Sequence, residues 1–144
     1  MLKLTQVLEH EAEVSHTLTM RFEQRTRGRL RVTLDSGIPA GLFLPHGHCL
    51  KDGDLLAGDD GVVVRVVAAP EPVCTVRCDQ PLQLARVCYH LGNRHVPLQI
   101  EADRVRFLQD HVLEQMVRSL GLEPTREQAP FQPEAGAYGR HEHG

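Results

Sequence analysis

Between positions 25 and 34, Thr26, Gly28, Leu30, Val32 and Leu34 alternate with Arg25, Arg27, Arg29, Arg31 and Thr33. A period of two predicts a strand with one face toward a core and the other toward water. Asp35-Ser36-Gly37 then reads as a turn. An apolar run over 40–44 ends at Pro45, and turn signals at 52–54 and 58–61 bracket another short segment. The apolar stretch over 62–67 is expected as a buried strand. Residues 1–69 therefore read as a small all-β domain.

Ala68-Ala69-Pro70-Glu71-Pro72 interrupts the pattern, because two prolines at alternate positions remove backbone donors and favour an extended path. The domain boundary is expected there, with a second domain over 73–133. Positions 73–78 read as a strand. Asp79 is expected to cap a helix over 80–91, with Pro81 in its first turn and Leu84, Ala85, Cys88 and Leu91 as its apolar stripe. Gly92-Asn93 supplies the left-handed stop expected past a helix end. Strands at 96–100 and 104–108 flank the polar turn 101–103. Asp110 caps a second helix, whose Val112, Leu113, Met116, Val117 and Leu120 share a face before Gly121 stops it, and a last strand falls within 122–131. The order β-α-β-β-α-β is ferredoxin-like, two helices on one face of an antiparallel sheet, so the fold class is α+β. Residues 134–144 read as a flexible tail that closes on Arg140-His141-Glu142-His143-Gly144.

Composition narrows the chemistry. Sixteen Lys+Arg against nineteen Asp+Glu give a formal charge of −3, which supplies no global attraction to nucleic acid or an anionic membrane. Nine histidines exceed the two Tyr, four Phe and no Trp together, and imidazole is both the commonest metal ligand and a group that titrates near neutrality. No stretch approaches the roughly 20 apolar residues of a membrane helix, and the start has no signal-peptide core. The expected location is cytoplasmic, with Cys49, Cys74, Cys78 and Cys88 reduced.

His95 stands just past the expected helix stop, in a loop where an imidazole can face outward from a stiff scaffold. It reads either as a surface or capping histidine or as a ligand. A single imidazole cannot hold a metal, but in a two-fold dimer one histidine per chain becomes a pair. His111, beside Asp110 at the start of the second helix, is either a solvated first-turn residue or a second donor. His141 and His143, one residue apart, are either a flexible chelating pair or an incidental terminus. His90 covers or caps the first helix end, and Cys78 shares strand parity with Cys74 across a span too long for one metal without bending. His46 and His48 near Cys49 form a weak cluster, while His10 and His16 read as surface residues. Arg27, Arg29 and Arg31 present a basic face suited to an acidic partner. His-Glu-x-x-His, Gly-x-Ser-x-Gly and phosphate-cradling glycine motifs are missing, which lowers the prospect of an enzyme, a small zinc hydrolase included.

The segment Cys88-Tyr89-His90-Leu91-Gly92-Asn93-Arg94-His95-Val96-Pro97-Leu98-Gln99-Ile100 resembles the signature of the UreE family, urease accessory nickel metallochaperones. The resemblance extends to Met1-Leu2-Lys3-Leu4-Thr5-Gln6, to the strand and turn at 27–37, to Asp110-His111-Val112-Leu113 and to the run from Pro130 through Tyr138. It implies an N-terminal β domain that binds peptide or partner protein, and a ferredoxin-like domain through which two chains dimerise head to head with His95 of both sharing one metal. It further implies delivery of Ni(II) to apo-urease alongside the other accessory proteins, including the nickel-dependent GTPase, with no reaction catalysed. Zn(II) and Cu(II) are expected to substitute, since affinity for nitrogen sites rises through nickel to copper. Two departures stand out. Many relatives carry a long His-rich tail where this chain has only His141 and His143, and some have a second histidine where this chain has Gln109.

Overall fold

The computed structural model describes residues 1–45, 49–58 and 60–135. The chain divides into two compact units, Met1–Ala69 and Pro70–Ala135, of mixed α/β composition, and no described helix is long and apolar enough to cross a membrane.

The first unit contains strands β1 (Leu2–Val7), β2 (His16–Met20), β3 (Arg29–Thr33), β4 (Pro39–Phe43), β5 (Leu55–Gly58) and β6 (Val63–Ala68), with the short helix α1 (Phe22–Arg25) between β2 and β3. They form one sheet in the order β2-β6-β5-β1-β4-β3. Alternate residues point inward, and Leu4, Leu18, Met20, Leu42, Leu56, Val64 and Val66 make the core. β1 runs parallel to β4 and antiparallel to β5, with a register irregularity between Leu4 and Gln6. At that irregularity Gly58 lies so close to Lys3 that a Cβ would overlap its carbonyl oxygen.

The expected strand over 25–34 is shorter at its start. Arg25 ends α1 instead of facing water, and it is buried, with Nε donating to the Met20 carbonyl (3.3 Å) and Nη1 to the Leu50 carbonyl (3.1 Å). Alternation misassigned it because an arginine that satisfies backbone carbonyls occupies a core position without the cost of a bare charge.

The second unit runs β7 (Pro70–Arg77), α2 (Pro81–Gly92), β8 (Gln99–Glu101), β9 (Arg104–Leu108), α3 (His111–Ser119) and β10 (Pro124–Pro130). Its sheet has the order β10-β7-β9-β8 and every neighbouring pair is antiparallel. Cys74 and Val76 of β7 lie opposite Phe107 and Val105 of β9, and this face packs against Val87 and Leu91 of α2 and Leu113 and Val117 of α3. Pro70 and Pro72 belong to β7, not to a break before it. Their carbonyls and missing N–H groups face away from β10, so the pairing with β10 is intact, and on the other side they lie at the end of the β9 ladder, where Gln109 N–H still donates to the Pro72 carbonyl (3.3 Å).

Three other local expectations shift. Val87 takes the buried place expected for Ala85, which is exposed; Leu84, Val87, Cys88 and Leu91 give the stripe its helical spacing. Gln80, not Asp79, stands at the cap of α2, and the Gln83 side chain accepts from the backbone N–H of both. On α3, Val112 and Leu120 are exposed at 53% and 37%, while Glu114 is buried. The Asp110 cap is as expected, accepting from Val112 N (2.8 Å) and Leu113 N (3.1 Å), and Gly121 turns the chain at φ 85°.

Candidate metal centre

α2 ends in a way its sequence does not announce. Gly92 is still helical, Asn93 has right-handed dihedrals, and the left-handed residue is His95 itself, at φ 59°. Its N–H donates to the Gly92 carbonyl (3.0 Å), and Arg94 N–H to the Leu91 carbonyl (3.0 Å), so these turns use the carbonyls the helix end would leave orphaned. Among the described residues, His95 is the one non-glycine with positive φ. A left-handed L-residue costs roughly 1–2 kcal/mol, and sites that retain such a conformation cluster at functional positions. The His95 side chain is exposed.

His111 is the first residue of α3, also exposed, with Nε2 3.1 Å from Gln115 Nε2 one turn on. The two histidines flank one feature. Val96 and Pro97, which follow His95, and Gln109 and Asp110, which precede His111, line a shallow groove of about 200 Å³ floored by Phe107 and Leu113. After β10 the chain returns to this end of the unit, where Glu134 N–H donates to the Leu98 carbonyl (2.7 Å) and Gln132 N–H to Gln99 Oε1 (2.9 Å). His141 and His143 lie outside the described residues, as do His46 and His48.

His90 is exposed on the last turn of α2, edge-on to the Tyr89 ring at 5.2 Å between centroids. Cys78 is in the core with Cys88 packed beside the same cluster. Burial, reinforced by Asp79 and Asp103, pushes the Cys78 thiol up, away from the thiolate that binds metal. Arg27 precedes β3 and pairs with Glu23 (3.0 Å), while Arg29 and Arg31 lie exposed on β3. Among the described residues, no three His, Cys, Asp or Glu side chains of one chain converge as a metal-binding group.

Two polar networks that sequence reasoning missed hold the frame. Buried Glu114 of α3 accepts from Arg126 Nε (3.0 Å) and Nη2 (3.1 Å) on β10 and from the Cys74 thiol. The bidentate arginine holds the Glu114 carboxyl below its usual range against the opposing effect of burial, while burial and the Glu114 charge push the Cys74 thiol up to about 11. On the opposite face of the sheet, Thr75 donates to Glu127, and Arg106 donates to both Thr75 (2.9 Å) and Glu127 (3.4 Å), which lowers the Glu127 carboxyl as well. A glutamate one residue from a buried leucine, with an arginine on a later strand, was the available signal for the first network.

These carboxyls set an acid limit. Asp35 of the first unit is also lowered, since hydrogen bonds from Thr19 and Thr17 outweigh the upward push of burial. With Asp35, Glu114 and Glu127 depressed in the fold, the unfolded chain binds more protons once pH falls through the ordinary carboxylate range, and stability drops with it. Cys74 acts at the other end, its contribution fading as pH climbs past the ordinary thiol value toward about 11. Denaturation midpoints followed against pH are expected to hold level around neutrality and fall on both sides. A midpoint that stays level down through the carboxylate range would contradict this account.

Residues 2–69 match the model of the UreE urease accessory protein N-terminal domain, and residues 71–144 that of its C-terminal domain. The chain is 58% identical to the urease accessory protein UreE of Alkalilimnicola ehrlichii over 139 residues, covering 96% of this chain and 85% of that protein. It is 58% identical over 132 residues to the protein of that name from Pseudomonas putida (91% and 80% covered), and 51% identical over 145 residues to that of Citrobacter koseri (100% and 95% covered).

Proposed function

The chain belongs to the UreE family of urease accessory proteins, and on that premise we propose that it carries Ni(II) to apo-urease during urease maturation, on a site shared between two copies of itself. His95 of each copy supplies the central ligands. The observation that carries this reading is the left-handed backbone at His95, a conformational cost retained at an exposed imidazole beside an open groove. One chain offers no three-ligand cluster among its described residues, and a two-fold axis near His95 is the simplest way to double its donors.

In this reading the second unit is the ferredoxin-like metal-binding and dimerisation domain, and residues 134–144 are the tail. His111 and the tail pair His141 and His143 are auxiliary donors, which the tether of Glu134 at Leu98, three residues beyond His95, helps to supply. His90 is exposed on the last turn of α2 and stands next in line. Cys78, buried in the core with its thiol pushed up, stands last among the candidate donors. Nickel is cargo here, so an incompletely ligated site open to an incoming protein ligand suits release better than a closed tetrahedral one. Zn(II) and Cu(II) compete for the same nitrogens. The receiving side is urease and its other accessory proteins, the nickel-dependent GTPase among them, in the cytoplasm.

Titration with Ni(II), followed by size-exclusion chromatography with light scattering, tests this directly. The expected first equivalence point is one nickel per two chains on a dimeric species. One nickel per chain on a monomer would overturn the shared site.

A further inference from the structure

The last described residues of the second unit run beside the open groove. Gln132 N–H donates to Gln99 Oε1 (2.9 Å) and Glu134 N–H to the Leu98 carbonyl (2.7 Å), so the chain after β10 is pinned alongside 98–99. Pro97, one residue before that anchor, is already a wall of the groove, with Val96 next to it. A side chain carried a few residues beyond Glu134 is therefore held at high local concentration over the opening.

The groove has the chemistry of a site for one aromatic side chain. Phe107 and Leu113 are buried in the core cluster and half-buried Val96 packs against it, so the floor and one wall are apolar. Gln109 and Asp110 make the rim polar. Asp110 accepts both of its capping bonds, from Val112 and Leu113, on Oδ1, which leaves Oδ2 to accept from an occupant. The volume of about 200 Å³ is below the roughly 300–1,000 Å³ of pockets that hold free small molecules. An apolar ring with a hydroxyl at its tip matches such a floor and rim.

We propose that Tyr138 of the same chain fills this groove, its ring on Phe107 and Leu113 and its hydroxyl donating to Asp110. Tyr138 is the one large apolar side chain between Gly136 and Gly144. It stands four residues past the anchored Glu134, a span of at most about 14 Å when extended. That short tether favours the chain's own tyrosine over one from a second copy. Ala135, Gly136 and Ala137, which lie between, put little bulk against the groove wall. Docking also sets His141 and His143 three and five residues past a fixed point, at the groove that the His95 and His111 loops share. That consequence rests on the nickel reading above; the docking itself does not.

The test is run on the full chain without metal, so its failure is distinguishable from failure of the nickel site. The chain has two tyrosines and no tryptophan. Tyr89→Phe, at a side chain exposed to 66%, leaves Tyr138 as the source of tyrosine emission. Acrylamide is expected to quench that emission at least about threefold less than in a synthetic peptide of residues 134–144, as burial of most of the ring requires. Val96→Glu, added to the same background and checked for folding by thermal melting, is expected to return quenching to the level of the peptide. Should that variant not fold, nuclear Overhauser effects from the Tyr138 ring to the Val96 and Leu113 methyl groups of the unsubstituted chain decide. Quenching equal to that of the peptide would overturn the proposal, as would protection that survives in folded Val96→Glu, since the ring would then sit elsewhere. Overhauser effects seen only between differently labelled chains of a mixed sample would assign the groove to a second copy and overturn it too.

Discussion

Replacing His95 by alanine is expected to abolish nickel binding at the shared site, with a loss of more than about a hundredfold in apparent affinity, while the fold melts where the parent does. Replacing it by glycine should abolish binding equally and raise stability by about 0.5–1 kcal/mol. The two substitutions separate ligand from backbone. Alanine removes the imidazole but keeps a Cβ at φ 59°, so the conformational cost remains. Glycine removes both, although its greater freedom in the unfolded chain returns part of the gain. Calorimetric Ni(II) titration beside thermal unfolding reads the two effects on the same samples. Nickel stoichiometry and affinity preserved in both variants would remove His95 from the centre, and a glycine variant less stable than the alanine one would remove the strain.

The largest loss of stability is expected from Gly58→Ala. Alanine is ordinarily no worse than glycine in a strand, but at position 58 its methyl group would occupy the space of the Lys3 carbonyl oxygen. That neighbour is backbone and cannot rotate away. β1 is also held on its other side by β4, through Leu2–Ala40, Lys3–Gly41 and Leu4–Leu42, so moving it strains two pairings. Overpacking of this kind costs typically 1–3 kcal/mol, and about 3 kcal/mol is expected here. Urea unfolding curves of parent and variant measure it, and a variant within a few tenths of a kcal/mol of the parent would show that β1 and β5 can separate more freely than their register implies.

The residues whose neighbours in sequence are also their neighbours in space were the legible ones. β9 matches its expected bounds, the Asp110 cap and the Gly121 stop lie where side-chain chemistry puts them, and the order of elements in the second unit follows from switches between periods of two and of 3.6. Arg25 was misread and Glu114 passed over because their burial depends on partners far along the chain, at Leu50 and Arg126. The prolines of β7 were misread for the same reason: tolerance there depends on their lying at the end of the ladder with β9, far along the chain.

At the candidate site, the position of His95 after a helix was legible but its conformation was not. Gly92-Asn93 holds the better left-handed residues, and the chain passes over both to place the turn three residues after Gly92. Local preference predicts where a helix can stop; which of several stops is used is decided by the packing beyond it. The groove shared by the His95 and His111 loops joins segments at 96–97 and 107–113, a contact that spacing alone does not encode.

The strand order of the second unit also fixes when it can close. β7 is the first strand of that unit to be synthesised, and β10, which pairs with it along all seven of its own residues, is the last. The first unit, by contrast, has all six strands in hand by Ala68. As the chain emerges from its N-terminus, one half can complete its sheet from what is already present, while the other must keep the flank of β7 bare until its final strand arrives.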